Sequence, residues 1–224
     1  MKANKQEGSE QSVPFAICKK YMQPKNLAKV FKIFKKNYEL IPLEVFHQDA
    51  YKTLISTLLS SRTNDDTTLR VCRDKLFKKA NDLTSLAKLS QPQIQQLIYP
   101  VGFYKTKAKH LNKLAQILIT THQGKIPQTR DELMKLPGVG RKTANLVLNR
   151  AFGVPAIAVD THVHRISNLL GWVKTKTPQE TETKLMEIIP QNYWANMNKF
   201  FVSIGRRYRS QRQIMDFLKK NGLI

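Results

Sequence analysis

Apolar residues recur at helical spacing along almost the whole chain from Pro24 onward. Leu27, Val30, Phe31 and Phe34 line one face of a first predicted helix, with Lys25, Lys29, Lys32 and Lys36 on another. A second, at about 49–61, carries Leu54, Ile55, Leu58 and Leu59 and breaks at the polar run Ser60-Ser61-Arg62-Thr63-Asn64. A third is expected to start at an Asp65/Asp66 cap and run through Leu69, Val71, Leu76 and Phe77. Shorter helices follow at 83–89 and 91–99, then a long one at 105–122 with Leu111, Leu114, Ile117 and Leu118 inside. Gly124 and Pro127 punctuate the chain before a short helix at 129–135. Helices are then predicted at 141–152, at 160–170, and from Pro178, where a first-turn proline loses no needed N–H. No segment of strand length alternates apolar and polar residues and no internal repeat is present, so the expected fold class is all-α.

Between two of these helices lies Leu136-Pro137-Gly138-Val139-Gly140-Arg141-Lys142-Thr143-Ala144. A Pro-Gly-x-Gly turn at a helix start leaves backbone N–H groups unbonded where the helix dipole favours an anion, which makes phosphate the natural ligand. The pattern predicts a hairpin that grips a nucleic-acid backbone. Lys142 falls one turn into the second helix. Asp160, within Val159-Asp160-Thr161-His162, begins the next, so an amine and a carboxylate can face one cleft. Taken singly, Lys142 reads as well as a phosphate-binding lysine, and Asp160 as a helix N-cap.

Residues 136–165 resemble the helix-hairpin-helix, Gly/Pro-rich loop and aspartate signature of the DNA glycosylase superfamily, and within it the endonuclease III family. The likeness extends over residues 43–208. Gly-Arg-Lys-Thr-Ala-Asn at 140–145 followed by Ala-Val-Asp-Thr-His at 158–162 is far more specific than a lone Gly-x-Gly. The resemblance implies two helical domains with the active site in the cleft between them. Residues 44–154 would form a six-helix barrel domain carrying the hairpin, and residues 15–43 with 155–224 a second domain.

The implied activity is that of a bifunctional DNA glycosylase and abasic-site lyase. It would excise damaged bases, oxidised pyrimidines above all, from double-stranded DNA in base excision repair. Lys142 would be the nucleophile and Asp160 its electrostatic and proton-handling partner. An amine that displaces the base at C1′ leaves a Schiff base, which acidifies the neighbouring hydrogen and permits β-elimination of the 3′ phosphate. A free lysine amine is almost fully protonated at neutral pH, so the site must either lower that pKa, as Arg141, the helix start and the basic field would, or remove the proton, as Asp160 could by relaying it. The backbone of Gly138, Val139 and Gly140, with Arg141 and Thr143 beside it, is expected to hold DNA phosphate, and the hairpin carbonyls are a candidate seat for a monovalent cation. His162 and His164 belong to the same motif; His162 is expected beside the DNA, and neither joins the catalytic pair.

A base inside a duplex must be extruded to reach such a site. Ser61-Arg62-Thr63 matches the loop in which the family inserts a glutamine, with Arg62 standing there instead. Gly102-Phe103-Tyr104-Lys105 matches the loop whose apolar residue wedges the opposite strand, which makes Phe103 the wedge and Lys105 a DNA contact. Phe103 reads equally well as core packing at a helix junction. Two rival functions remain: a monofunctional mismatch glycosylase of the same superfamily, whose members generally lack a lysine at position 142, and a non-catalytic helix-hairpin-helix DNA-binding protein, in which Asp160 has no assigned task.

Composition narrows the partners. Among 224 residues, 38 Lys+Arg against 16 Asp+Glu give a formal charge of +22, which concentrates polyanions, and 41% apolar residues suffice for a sizeable core. Residues 1–14 are polar without apolar periodicity and read as a flexible arm. No apolar run approaches the roughly 20 residues of a membrane span, so an intracellular monomer, cytoplasmic or nuclear, is expected. Cys18 and Cys72 are the only cysteines. Many endonuclease III relatives hold an iron–sulfur cluster on four cysteines after a segment like Ile204-Gly205-Arg206-Arg207-Tyr208. Four thiolates cannot come from two cysteines, so no iron–sulfur cluster is expected, and no metal besides the candidate monovalent cation on the hairpin. Phe200, Phe201, Ile204, Ile214, Phe217 and Leu218 are expected to hold the tail by burial instead, with Arg206, Arg207, Arg209 and Arg212 supplying phosphate contacts.

Overall fold

The structure, a computed structural model, describes residues 23–224. The arm expected at 1–14 and Cys18 lie outside the described residues. The path runs through α1 (Leu27–Lys36), a 3-10 turn (Pro42–Phe46), α2 (Ala50–Ser60) and α3 (Asp65–Val71), which continues through a π turn (Cys72–Leu76) into α4 (Phe77–Lys79). Next come α5 (Leu83–Ala87), α6 (Gln91–Ile98), α7 (Tyr104–His122), α8 (Arg130–Lys135) and α9 (Arg141–Phe152). The chain then forms α10 (Thr161–Leu169), α11 (Pro178–Ile188), a 3-10 turn (Gln191–Tyr193), α12 (Trp194–Arg207) and α13 (Gln211–Lys220). Among the described residues there is no strand, in line with the all-α expectation.

Most helices start where a short polar side chain accepts an N–H of the first turn: Asp49 for α2, Asp82 for α5, Ser90 for α6, Thr129 for α8, Asp160 for α10, Thr177 for α11 and Ser210 for α13. The start of α3 departs from the sequence expectation. Asn64 caps it, accepting from the Asp66 N–H at 2.8 Å. An amide caps as well as a carboxylate does, and Asp65 is thereby released to face the cleft described below.

Two apolar clusters form. The first gathers residues from Leu43 to Ala156 around α2, whose residues from Thr53 to Ser60 are all buried and which packs against α9. The second joins Leu27, Phe31 and Phe34 of α1 to Phe200, Phe201 and Ile204 of α12 and to Ile214, Phe217 and Leu218 of α13. Ring pairs such as Phe34 with Phe201, 5.0 Å between centroids, lock these helices together. The predicted burial of this tail is what the structure contains.

The crossing from the first cluster to the second is non-helical, and its carbonyls need partners. Three asparagines supply them. Asn149 donates to the Ala156 carbonyl at 3.1 Å, Asn145 to that of Ile157 at 3.0 Å, and Asn198 to that of Ala158 at 2.9 Å. The strap so fastened delivers Asp160 to the start of α10.

Candidate active site

A cleft of about 1080 Å³ is lined by the Ser60–Asp66 loop, the hairpin, the start of α10 and the last turns of α12. The hairpin joins α8 to α9. Gly138 adopts φ 78°, and a Cβ there would meet His110 Nδ1 at 2.7 Å, so both conformation and space demand glycine. Gly140 caps α9 with no side chain, and a Cβ there would meet nothing within 4 Å. The first-turn amides of α9 are thus uncapped and approachable, which is the arrangement that receives an anion. Val139 corrects the sequence reading: its N–H is spent on the Leu136 carbonyl at 3.1 Å, and its side chain lies in the first core, 6% exposed. It shapes the turn and has no free donor for phosphate.

Lys142, in the first turn of α9, and Asp160, at the N-cap of α10, both line the cleft. Asp160 Oδ1 accepts from the N–H groups of His162 at 3.0 Å and Val163 at 2.9 Å, which fixes the carboxylate in place. Oδ2 takes no hydrogen bond among the described residues. One oxygen of the group is thus spent on capping, and the other is left without a partner among the described residues.

Asp65, which the sequence reading treated only as a cap, stands in the same cleft. Burial raises its pKa and outweighs the opposing pull of Lys142, Arg206 and Arg150, while Asp160 adds to the rise. Arg206 reaches Asp66 Oδ2 at 2.9 Å and Asp65 Oδ2 at 3.5 Å. Behind them Arg150, buried in α9, donates to Asn198 Oδ1 at 3.2 Å; burial lowers its pKa against the attraction of Glu44, Asp65 and Asp160. His162 has its pKa lowered, chiefly by burial, against the pull of Asp160. The ring lies against Gly205, where any Cβ would collide with it.

Of the residues expected on DNA, Arg62, Gly138, Gly140, Arg141, Thr143, His162 and Arg206 line the cleft together with the Lys142/Asp160 pair. Arg141 is fastened to Glu182, as discussed below. Phe103, Lys105 and Arg207 lie outside the cleft lining. Phe103 is 61% exposed, which excludes the core-packing alternative. Lys105 is exposed, and Arg207 pairs with Glu39 at 3.2 Å on the surface. No cluster of three metal-ligating side chains occurs among the described residues. Cys72, the one cysteine described, is buried in the first core, where burial pushes its thiol up to about 12. An iron–sulfur cluster does not fit this donor set.

The profile of the HhH-GPD superfamily of base excision DNA repair proteins matches residues 55–191, which contain the hairpin, Lys142 and Asp160. The chain belongs to this superfamily. Within it, the chain is similar to endonuclease III of Thermotoga maritima, 47% identical over 159 residues that cover 71% of this chain and 74% of that protein. Endonuclease III of Bacillus subtilis is 40% identical over 164 residues, covering 73% and 74%. A solved structure of a trapped endonuclease III–DNA covalent intermediate superposes with a TM-score of 0.75 at 37% identity, covering 83% of this chain and 85% of that one. A thermostable thymine-DNA glycosylase, 22% identical with a TM-score of 0.74, shares the fold.

Proposed function

We propose that this member of the superfamily, a DNA glycosylase and abasic-site lyase of base excision repair, removes oxidised pyrimidines from duplex DNA with Lys142 as the nucleophile and Asp160 as its partner. The observation that carries the reading is that these two side chains, one in the first turn of α9 and the other at the N-cap of α10, line one cleft. A relative trapped in a covalent complex with DNA supports a covalent route.

In this mechanism the neutral amine of Lys142 attacks C1′ of an extruded nucleotide. A C–N bond forms, the glycosidic bond breaks, and the base leaves with a proton. Ring opening gives a Schiff base, loss of the C2′ proton follows, and the 3′ phosphate departs by β-elimination. Asp160 and Asp65, which line the same cleft, take the lysine proton in this reading and stabilise positive charge that develops on the sugar. The amides of Gly138, Gly140 and the first turn of α9 receive the DNA phosphate, and the hairpin carbonyls seat a monovalent cation. The protein acts as a monomer wherever the cell keeps its DNA. It works without an iron–sulfur cluster, and its two apolar cores, one spanning Leu43 to Ala156 and one joining α1 to the helices after Ile157, support a two-domain reading.

Borohydride trapping tests the reading. A covalent adduct with abasic-site duplex that is lost in Lys142→Ala is the expected result. Base release without an adduct would select the monofunctional glycosylase, and DNA binding with neither would select the non-catalytic module. A panel of duplexes carrying thymine glycol, 5-hydroxycytosine, uracil and 8-oxoguanine tests the preference for oxidised pyrimidines, which a uracil or 8-oxoguanine preference would overturn.

A further inference from the structure

Lys107 lies one turn into α7 on its apolar face, in register with Leu111, Leu114 and Leu118, and is only 6% exposed. A buried ammonium is costly unless its protons are all bonded. Here Nζ donates to the carbonyls of Leu59 at 2.8 Å and Ser61 at 2.5 Å and to Thr63 Oγ1 at 3.1 Å. No carboxylate pairs with it among the described residues, and desolvation lowers its pKa to about 8. All three acceptors belong to the end of α2 and the loop that carries Arg62.

The Phe103 loop reaches the same acceptor set. Thr63 Oγ1 in turn accepts from the Gly102 N–H at 3.1 Å. The two backbones approach so closely that a Cβ on Gly102 would meet the Arg62 carbonyl oxygen at 2.8 Å. At the tips, Arg62 (φ 52°) and Phe103 (φ 57°) both occupy the left-handed region, a strained state for residues with side chains. Both side chains are exposed, with the guanidinium carbon 5.7 Å from the ring centroid. Strain at two adjacent tips persists only where the surroundings enforce it, and Thr63 Oγ1, bonded by both Lys107 Nζ and the Gly102 N–H, joins the two loops.

We infer that Lys107 is a positioning residue that welds the Arg62 and Phe103 loops into one composite wedge, a cation stacked on a ring, presented to the gap that an extruded nucleotide leaves in a duplex. The inference rests on the reading under Proposed function. An apolar ring between base steps unstacks them, and a guanidinium beside it can bond the unpaired opposite base. The wedge has work to do only when the reacting nucleotide starts inside a duplex.

The test compares two substrates in the full-length protein, a duplex bearing an oxidised pyrimidine and a single-stranded oligonucleotide bearing an abasic site. Lys107→Met, which keeps the apolar stem, should slow single-turnover base release from the duplex by about tenfold or more, the scale of cost for a misplaced group. Borohydride trapping on the single strand should stay within about twofold. In a Phe103→Ala background, Lys107→Met should add little, because residues acting as a unit are non-additive. If Lys107→Met does not fold, Thr63→Val removes the shared acceptor while leaving Lys107 Nζ its two carbonyl partners and should give the same substrate split. Equal losses on both substrates, full additivity with Phe103→Ala, or unchanged duplex activity would overturn the weld while leaving Lys142 as nucleophile. Absence of any adduct with the native protein would overturn the nucleophile assignment and this inference together.

Discussion

Arg141 and Glu182 are joined across the cleft wall, Arg141 Nε donating to Glu182 Oε2 at 2.8 Å, and the glutamate is 3% exposed. Glu182 Oε1 also accepts from Asn145 at 3.0 Å and pairs with Arg130 at 3.5 Å. Because Arg141 immediately precedes Lys142, and α11 packs against the helix that Asp160 begins, this buried carboxylate ties the wall bearing the amine to the wall bearing the acid. The sequence reading placed Arg141 on DNA; the fold gives its guanidinium an intramolecular partner.

Glu182→Gln keeps an acceptor for Asn145 but removes the charge shared by two arginines. The arginines are more than a third exposed, so the loss is smaller than for a fully buried pair, about 1–3 kcal/mol. The expected outcome is a lowered Tm together with a fall in kcat larger than any change in DNA affinity. Unchanged kcat with a lowered Tm would reduce Glu182 to a purely structural role.

The two duties of Asp160 can be separated. In Asp160→Asn the remaining carbonyl oxygen still accepts from the His162 and Val163 N–H groups, so the Tm should hold to within about 1 kcal/mol of stability. Single-turnover base release should drop about a hundredfold or more, the scale seen when a charge-stabilising group is removed. Asp160→Ala should lose activity to a similar degree and an additional ~1 kcal/mol of stability with the cap. Thermal melts alongside single-turnover assays check both, and near-native activity in Asp160→Asn would dismiss its charge from the chemistry.

What the sequence disclosed was local. Helical periodicity, the hairpin and the Asp160 cap depend on neighbours within a few positions, and the structure keeps each of them. What escaped were residues whose partners lie far along the chain: Glu182 with Arg141, Arg150 with Asn198, Lys107 with the Leu59 and Ser61 carbonyls. Lys107 carried a usable sign, a lysine at a core position of the α7 pattern, but only tertiary packing supplies its acceptors. Asp65 was misassigned because two carboxylates and an asparagine stood in succession and any of them could cap.

Asp65 gives a pH-dependent prediction. Its folded pKa is raised, so the fold favours the protonated form. The stabilising contribution is complete below the unfolded value near 3.9 and is lost as pH rises through the raised folded value. At neutral pH the ionised group is a net cost to the fold. Asp65→Asn should therefore melt higher than the native protein at pH 7, with the gap closing at a pH below about 4. The same variant should release bases more slowly, since the cleft loses an acceptor. A lower Tm for Asp65→Asn at neutral pH would mean that pairing with Arg206 outweighs burial.

The C-terminal helix makes the final prediction. Phe217 of α13 is 7% exposed, stacks on Tyr208 with centroids 4.6 Å apart and reaches Phe34 of α1 at 6.1 Å. Nearby, Asn26 donates to the Leu223 carbonyl at 2.7 Å and Lys29 to that of Gly222 at 2.8 Å, closing the end of the helix onto α1. Removing the ring leaves a cavity at this junction, and Phe217→Ala should cost about 3–5 kcal/mol. Urea titration should show a lower midpoint. The proposed nucleophile Lys142 and its partner Asp160 are carried on α9 and at the start of α10, away from this junction, so trapping of abasic-site DNA at low temperature should persist. A variant as stable as the native protein would show that α13 does not hold the second core, and the packing account of how this chain manages without cluster cysteines would fall with it.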